Sequence, residues 1–268
     1  MTKELDIEVL KKFITETLRE AGRVALEGYG QGRLDKKFDE EIVTTFEVKI
    51  ENFVRSEIEK AFPGHRIFGD GAGNTSDYRH DVGKYLWVFD ALDGVANYQA
   101  GIPMWGMSCA VMENFWPIVG AYFMPSTGDM WLAVGGGPMY FNGKERKIVE
   151  TEPTNNESLL FTYSRFHDHF QTTFPGKIRN LGCTGAHICY VAQGRADGAV
   201  IHNVAFRDMV APMLILESAG GGVEYFDGGK FHINEYADGR RIRDFLLIAP
   251  RGFHDQLREY LKRTDVIE

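Results

Sequence analysis

Three apolar runs, GMSCAVM, WPIVGAYF and MWLAV, succeed one another between residues 106 and 141, punctuated by PSTGD and GGGP. Connections this short join antiparallel neighbours and leave no room for a crossover helix. Asn142-Gly143, a dipeptide suited to a tight hairpin, closes the stretch. An antiparallel sheet must therefore occupy the middle of the chain.

The flanks read differently. Val9, Leu10, Phe13, Ile14, Leu18, Ala21, Val24 and Ala25 recur at three and four, predicting a helix over 5–29 that Gly28 and Gly30 end. Phe46, Ile50, Phe53, Val54, Ile58 and Ala61 predict a second helix, stopped by Pro63-Gly64. Short strands are expected at Arg66–Gly69 and Tyr85–Phe89. Beyond residue 155 strand and helix alternate: SLLFT, a helix near 166–174, KIRNLG, a helix over 183–193, DGAVIH, a helix over 207–218, DFLLIAP, and a final amphipathic helix in GFHDQLREYLKR. The chain thus divides near 145–155 into an α+β half (1–148) and an α/β half (149–268), packed as one body.

Bulk properties exclude some partners. The net charge is −8 and there is no long basic run, so neither nucleic acid nor an anionic membrane is expected. The N-terminus MTKELDIEVLKKF has no signal-peptide apolar core, and no stretch approaches the roughly 20 apolar residues of a membrane span. Cys109, Cys183 and Cys189 cannot all pair and show no C-x-x-C spacing, which points to a reduced cytoplasm. Cys183 and Cys189 read as packing residues.

Chemistry concentrates in WVFDALDGVANY. Asp90 and Asp93 follow an apolar strand, and two carboxylates in one place repel unless a cation sits between them. With only oxygen ligands on offer, that cation is hard, Mg²⁺ or Mn²⁺ before zinc. Gly94 permits close backbone approach, so the N–H groups of residues 94 to 96 can cradle an anion. The plain alternative has Asp90 capping a helix and Asp93 in a surface pair; on the tetrapeptide alone the two weigh equally. Asp208 opens an apolar helix, where complementing the helix dipole is worth about 0.3–1 kcal/mol and suffices to explain it. Asp70 sits among glycines in RIFGDGAG, as in an ordinary turn. Thr44-x-x-Glu47 reads as a capping box for the second helix.

Taken together, in order and spacing, these four stations resemble the inositol monophosphatase superfamily of Mg²⁺-dependent, lithium-sensitive phosphatases. The family signature D-P-[IL]-D-G-T-x-N-[FY] stands here as DALDGVANY. Its G-E-E becomes Gly69-Asp70-Gly71, and its V-T-x-x-D becomes Val43-Thr44-Thr45-Phe46-Glu47. The W-D-x-A-[AG] helix leading to E-A-G-G becomes Arg207-Asp208-Met209-Val210-Ala211 and Glu217-Ser218-Ala219-Gly220-Gly221. The match covers nearly the whole chain. It implies a five-layer αβαβα sandwich, a homodimer, and a site between the halves. Asp70, Asp90, Asp93 and Asp208, with the Leu92 carbonyl, would bind two or three Mg²⁺ ions. The phosphate would rest on the N–H groups of Gly94, Val95 and Ala96 while a water acidified by the cation attacks in line. The haloacid-dehalogenase phosphatases place a nucleophile in D-x-D-G-[TV]; the D-x-x-D spacing here does not match them.

The resemblance also shows where this chain departs. The family glutamate is Asp70 and the acid after it is Gly71; the water-activating aspartate is Glu47; the signature proline is Ala91. The threonine whose hydroxyl orders the attacking water is Val95, similar in shape but without the hydrogen-bonding atom. On the substrate side, Ile201 replaces the glutamate that grips inositol hydroxyls, and Arg207 replaces a tryptophan; His202 and Asn203 adjoin Ile201. Thr184 falls where the family touches the polyol, and His187 on the same helix reads as structural. The implied activity is hydrolysis of a small sugar or polyol phosphate, with fructose-1,6-bisphosphatase and nucleotide 3′-phosphatase as variants. The alternative is a pseudophosphatase that binds and regulates.

Overall fold

A computed structural model describes residues 6–31, 36–37, 42–43, 45–69, 85–148 and 153–264. Helix α1 (Ile7–Gly28) begins where the Asp6 carboxylate accepts the Glu8 N–H at 2.9 Å. It buries Leu10, Ile14, Leu18, Ala21 and Ala25, the three-and-four stripe. The two-residue strands β1 (Lys36–Lys37) and β2 (Ile42–Val43) pair antiparallel. Helix α2 (Thr45–Ala61) lies against α1 through Ile50, Val54 and Ile58.

A seven-stranded sheet follows, built in spatial order from β3 (Arg66–Ile67), β4 (Tyr85–Asp93), β5 (Gly106–Glu113), β6 (Trp116–Met124), β7 (Asp129–Val134), β8 (Met139–Phe141) and β9 (Lys144–Arg146). Only β3 and β4 run parallel; all other pairs are antiparallel, as the short connections require. The six-residue helix α3 (Val95–Ala100) leaves the end of β4. Asn142 and Gly143, both at positive φ, turn β8 into β9.

The remaining elements are β10 (Leu159–Phe161), α4 (Phe166–His169), β11 (Phe170–Thr172), β12 (Lys177–Arg179), α5 (Thr184–Ala192), β13 (Gly198–Val204) and α6 (Phe206–Ala219). They are followed by β14 (Gly221–Tyr225), a 3-10 turn at Ile233–Tyr236, β15 (Ile242–Pro250), α7 (His254–Glu259) and β16 (Leu261–Arg263). A second, five-stranded sheet runs in the order β12-β10-β13-β15-β14.

Side-chain alternation along strands shows how the layers stack. On β4, Tyr85, Trp87 and Phe89 join the core of α1 and α2, whereas Leu86 and Val88 face the other way, toward α5 and α6. On β13 and β15, Ala199, Ile201, Leu246 and Ile248 meet the same α5–α6 layer. Val200, Leu247 and Ala249 point outward to Phe166, Phe170 and Leu257 around α4 and α7. The result is five layers, αβαβα: α1–α2, the large sheet, α5–α6, the small sheet, and α4–α7.

Three expectations need correction. The helix expected near 166–174 stops at His169; Phe170–Thr172 is a strand that pairs antiparallel with Leu261–Arg263. The Phe170 ring is buried against Phe226 and Phe245. By the same pairing, the final amphipathic helix ends at Glu259 and its last residues are β16. Strand β4 does not stop before the aspartates but runs through them to Asp93.

Candidate active site

The continuation of β4 explains how two carboxylates three apart come to share a site. In a regular strand, residues three apart face opposite sides. Here Asp90 pairs with Ser108 and Asp93 with Gly106, so β4 carries one more residue than β5 over this stretch, a β-bulge. The extra residue brings Asp90 and Asp93 to the same side. Both line a cleft of ≈ 170 Å³ together with Glu47, Leu92, Gly94, Val95, Ala205, Arg207, Asp208 and Arg241.

Gly94 turns the chain from β4 into α3 at φ 82°, ψ 39°, and a Cβ there would stand 2.9 Å from the Met104 carbonyl oxygen. Only glycine fits. The N–H groups of Val95 and Ala96 in the first turn have no acceptor within a helix; Ala96 is exposed and Val95 packs partly into the α1–α2 core. Asp208, third residue of α6, accepts the Ala205 N–H at 2.8 Å, so a carboxylate in the first turn of the helix, expected from sequence to complement its dipole, also takes a place in the cleft. Glu47 occupies the first turn of α2.

Asp93 is the most heavily hydrogen-bonded of these groups. Its Oδ1 accepts the Thr184 N–H at 3.0 Å. Its Oδ2 accepts from the Gly185 N–H at 2.7 Å, the Tyr122 hydroxyl at 2.9 Å and the Cys183 thiol at 3.0 Å. Two of the four donors are the opening N–H groups of α5, whose positive end favours a carboxylate. Cys183 therefore does more than pack: burial pushes its ionisation well up, so it remains a thiol donor. Gly185 stands where a Cβ would overlap the Tyr122 ring. Gly185→Ala should cost about 1–3 kcal/mol in urea unfolding; unchanged stability would show that the ring can move without loss.

The electrostatics call for positive charge. Burial first, then Asp208, Asp93 and Glu47, raise the Asp90 carboxyl well above its ordinary range, and Arg207 opposes them. Burial also raises Asp93, against its four hydrogen bonds. Asp208 is pushed up to about 6 by burial and then by Asp93, with Arg207 and Arg241 pulling it down. Arg207 Nε lies 3.8 Å from Asp90 Oδ1. Arg241, which the sequence reading missed, is fixed by Asn203: its Nε donates to the side-chain oxygen at 3.0 Å and its Nη2 to the carbonyl at 2.5 Å. Asn203 adopts φ 54°. No short motif marks Arg241, because it enters the cleft from the chain preceding β15.

The other candidate residues divide. Thr184 reaches Asp93 through its backbone, while Leu92 lines the cleft. Ile201 is 2% exposed in the core between α5 and the small sheet, paired with Leu246, and does not line the cleft. Its neighbour His202 stacks on Phe245, ring centroids 4.3 Å apart. His187 accepts the Leu181 N–H at 2.9 Å and stacks on Phe161; burial lowers it to about 4. Asp70 lies outside the described residues, as do Gly71 and Thr44. Among the described residues no three acidic, His or Cys side chains enclose an ion by themselves. The donor set nevertheless fits a hard divalent cation, being all oxygen and mutually repelling.

Two sheets stacked across a helical layer, with carboxylates gathered at the bulged end of a central strand, define a class of layered α+β proteins with an acidic cleft. The family model described as the inositol monophosphatase family matches residues 6–262, and the chain belongs to that family. It is 28% identical over 267 residues to a fructose-1,6-bisphosphatase/inositol-1-monophosphatase of Aquifex aeolicus, covering 92% of this chain and 98% of that one. It is 29% identical over 188 residues to the Nus factor SuhB of Xylella fastidiosa, covering 66% of each. Among solved structures, an IMPase of Thermotoga maritima superposes with a TM-score of 0.75 at 24% identity, covering 91% of this chain and 93% of that one. No helix among the described residues is long and apolar enough to cross a membrane.

Proposed function

We propose that the chain is a Mg²⁺-dependent phosphomonoesterase acting on a small sugar or polyol phosphate, working as a cytoplasmic homodimer. One observation carries this reading: the bulge of β4 sets Asp90 and Asp93 beside Asp208, Glu47 and the Gly94 turn in a single cleft. Asp90, Asp93, Asp208 and the Leu92 carbonyl would hold the cation, with Asp70 as a further ligand. When bound, such an ion polarises phosphoryl oxygens and acidifies water. The protein's own groups do the rest. The N–H groups of Gly94, Val95 and Ala96 hold the phosphate oxygens, Glu47 accepts the proton of the attacking water, and Arg207 and Arg241 balance the anionic charge. Release of phosphate from p-nitrophenyl phosphate, present with Mg²⁺ and absent with EDTA, tests it; no Mg²⁺-dependent release would refute it.

Two features favour a second reading, a pseudophosphatase with a binding role. Val95 offers no hydroxyl to the cleft, and Asp93 already accepts four hydrogen bonds, from Thr184, Gly185, Tyr122 and Cys183. One relative is named a Nus factor, a name that does not denote a phosphatase. Bound Mg²⁺ with no hydrolysis of any phosphomonoester would favour it.

Substrate choice follows from the two guanidiniums. With Ile201 in the core and Arg207 and Arg241 at the cleft, a doubly anionic sugar such as fructose 1,6-bisphosphate should match or exceed inositol 1-phosphate in kcat/KM. A site without a hydroxyl-gripping carboxylate discriminates weakly among polyols. Preference for inositol 1-phosphate by orders of magnitude would contradict this assignment.

A further inference from the structure

Arg207 and Arg241 both line the cleft. Arg241 is tied down by Asn203, through both the side chain and the carbonyl. Arg207 is the second residue of α6, immediately before Asp208, and its Nε stands 3.8 Å from Asp90 Oδ1. Asp90 is the buried partner, 6% exposed against 34% for the arginine side chain. A divalent ion of the Mg²⁺ type takes carboxylate oxygens at about 2.0–2.1 Å. An ion on Asp90 would therefore sit within a few ångströms of a guanidinium already there, and two cations at that separation repel strongly away from bulk water.

We propose that Arg207 is an internal counter-cation for Asp90, which a divalent ion must displace to bind, so that this exchange sets the metal affinity of the cleft. The inference rests on the reading above that the cleft takes such an ion. In the metal-free protein the guanidinium keeps the buried carboxylate tolerable. On loading, the ion takes over that role and the arginine, a third exposed, turns toward the open side of the cleft.

Calorimetric titration with Mg²⁺ alone, on the full chain, tests this without any assay of activity. Arg207→Met should tighten Mg²⁺ binding by about tenfold or more, the scale expected when one member of a close charge pair is removed. It should also lower the melting temperature in EDTA, because Asp90 loses its counter-charge. Arg241→Met removes the same charge from the same cleft and should tighten binding by no more than about threefold, a control for the general field. Arg207→Lys, which keeps the charge, should bind as the wild type does. If Arg207→Met does not fold, Arg207→Gln repeats the measurement with a polar side chain. Equal tightening in the Arg207 and Arg241 variants, or no tightening in either, overturns the exchange while leaving the metal site intact. No Mg²⁺ binding in the wild type or any variant removes the metal site itself, and the exchange with it.

Discussion

Asp208→Asn should stabilise the metal-free protein at neutral pH and remove most of the stabilisation that Mg²⁺ confers. Asparagine keeps an oxygen to accept the Ala205 N–H but carries no charge into the crowded cleft. Burial and the neighbouring Asp93 lift Asp208 from 3.8 to about 6. Since this folded-state value lies above the unfolded one, the unfolded chain binds fewer protons between about pH 4 and 6. Stability from this group is therefore full below about pH 4 and declines as pH rises through about 6. A shift of this size corresponds to up to about 3 kcal/mol, shared with Asp90 and Asp93. Urea unfolding in EDTA at pH 5 and pH 7.5 should show a drop for the wild type and a smaller one for the variant. Added Mg²⁺ should raise the wild-type melting temperature, more so at the higher pH, and the variant's little. A variant less stable than wild type at pH 7.5, with its Mg²⁺ response intact, would place Asp208 outside the cation's reach.

Glu47→Gln should abolish Mg²⁺-dependent hydrolysis, and Val95→Thr should increase it. A positioned general base contributes about 10²–10⁴-fold, and Glu47 is a carboxylate on α2 that lines the cleft beside Val95. Val95 packs partly against the α1–α2 core, so threonine, of nearly equal volume, fits the space while adding a hydroxyl to the cleft edge. The proposed phosphate cradle would be unaffected by either change, because it would use backbone N–H groups. A buried hydroxyl needs a partner, so Val95→Thr should lower stability somewhat. High activity unaltered by Glu47→Gln would assign the water to another group. Absence of activity in both wild type and Val95→Thr, with Mg²⁺ bound, would favour the binding protein.

Much of this architecture could be read from local pattern. The helical stripe of α1, the antiparallel run from β5 to β8 and the alternation of β10 to β15 are all periodicities that neighbouring residues carry. The aspartates of β4 and the glycine that turns it into α3 were likewise visible. What escaped is what depends on distant partners. Phe170 is a strand residue because β16, more than 90 positions downstream, pairs with it. The bulge of β4 is a property of its register with β5 and leaves no mark in DALDG itself. Cys183 looked like a packing residue, and Tyr122 and Arg241 carry no motif; each gains its role from a side chain far away in sequence. Ile201 was placed by correspondence with a family position, yet strand alternation on β13 turns it into the core.

The hydrogen bonds on Asp93 also tie completion of the cleft to a distant part of the chain. The residue sits on β4, but its backbone donors lie 91 and 92 positions later, at the start of α5. During synthesis the large sheet and its helices can begin to pair while α5 has yet to be made. Closing so long a loop costs entropy before any contact repays it, which makes such contacts slow to form. The large sheet can therefore take shape first, with its aspartates awaiting their donors. Competence should then appear as a late kinetic phase, after most of the burial of tryptophan. A ribosome stalled before residue 183 would hold a chain rich in structure and without a working centre.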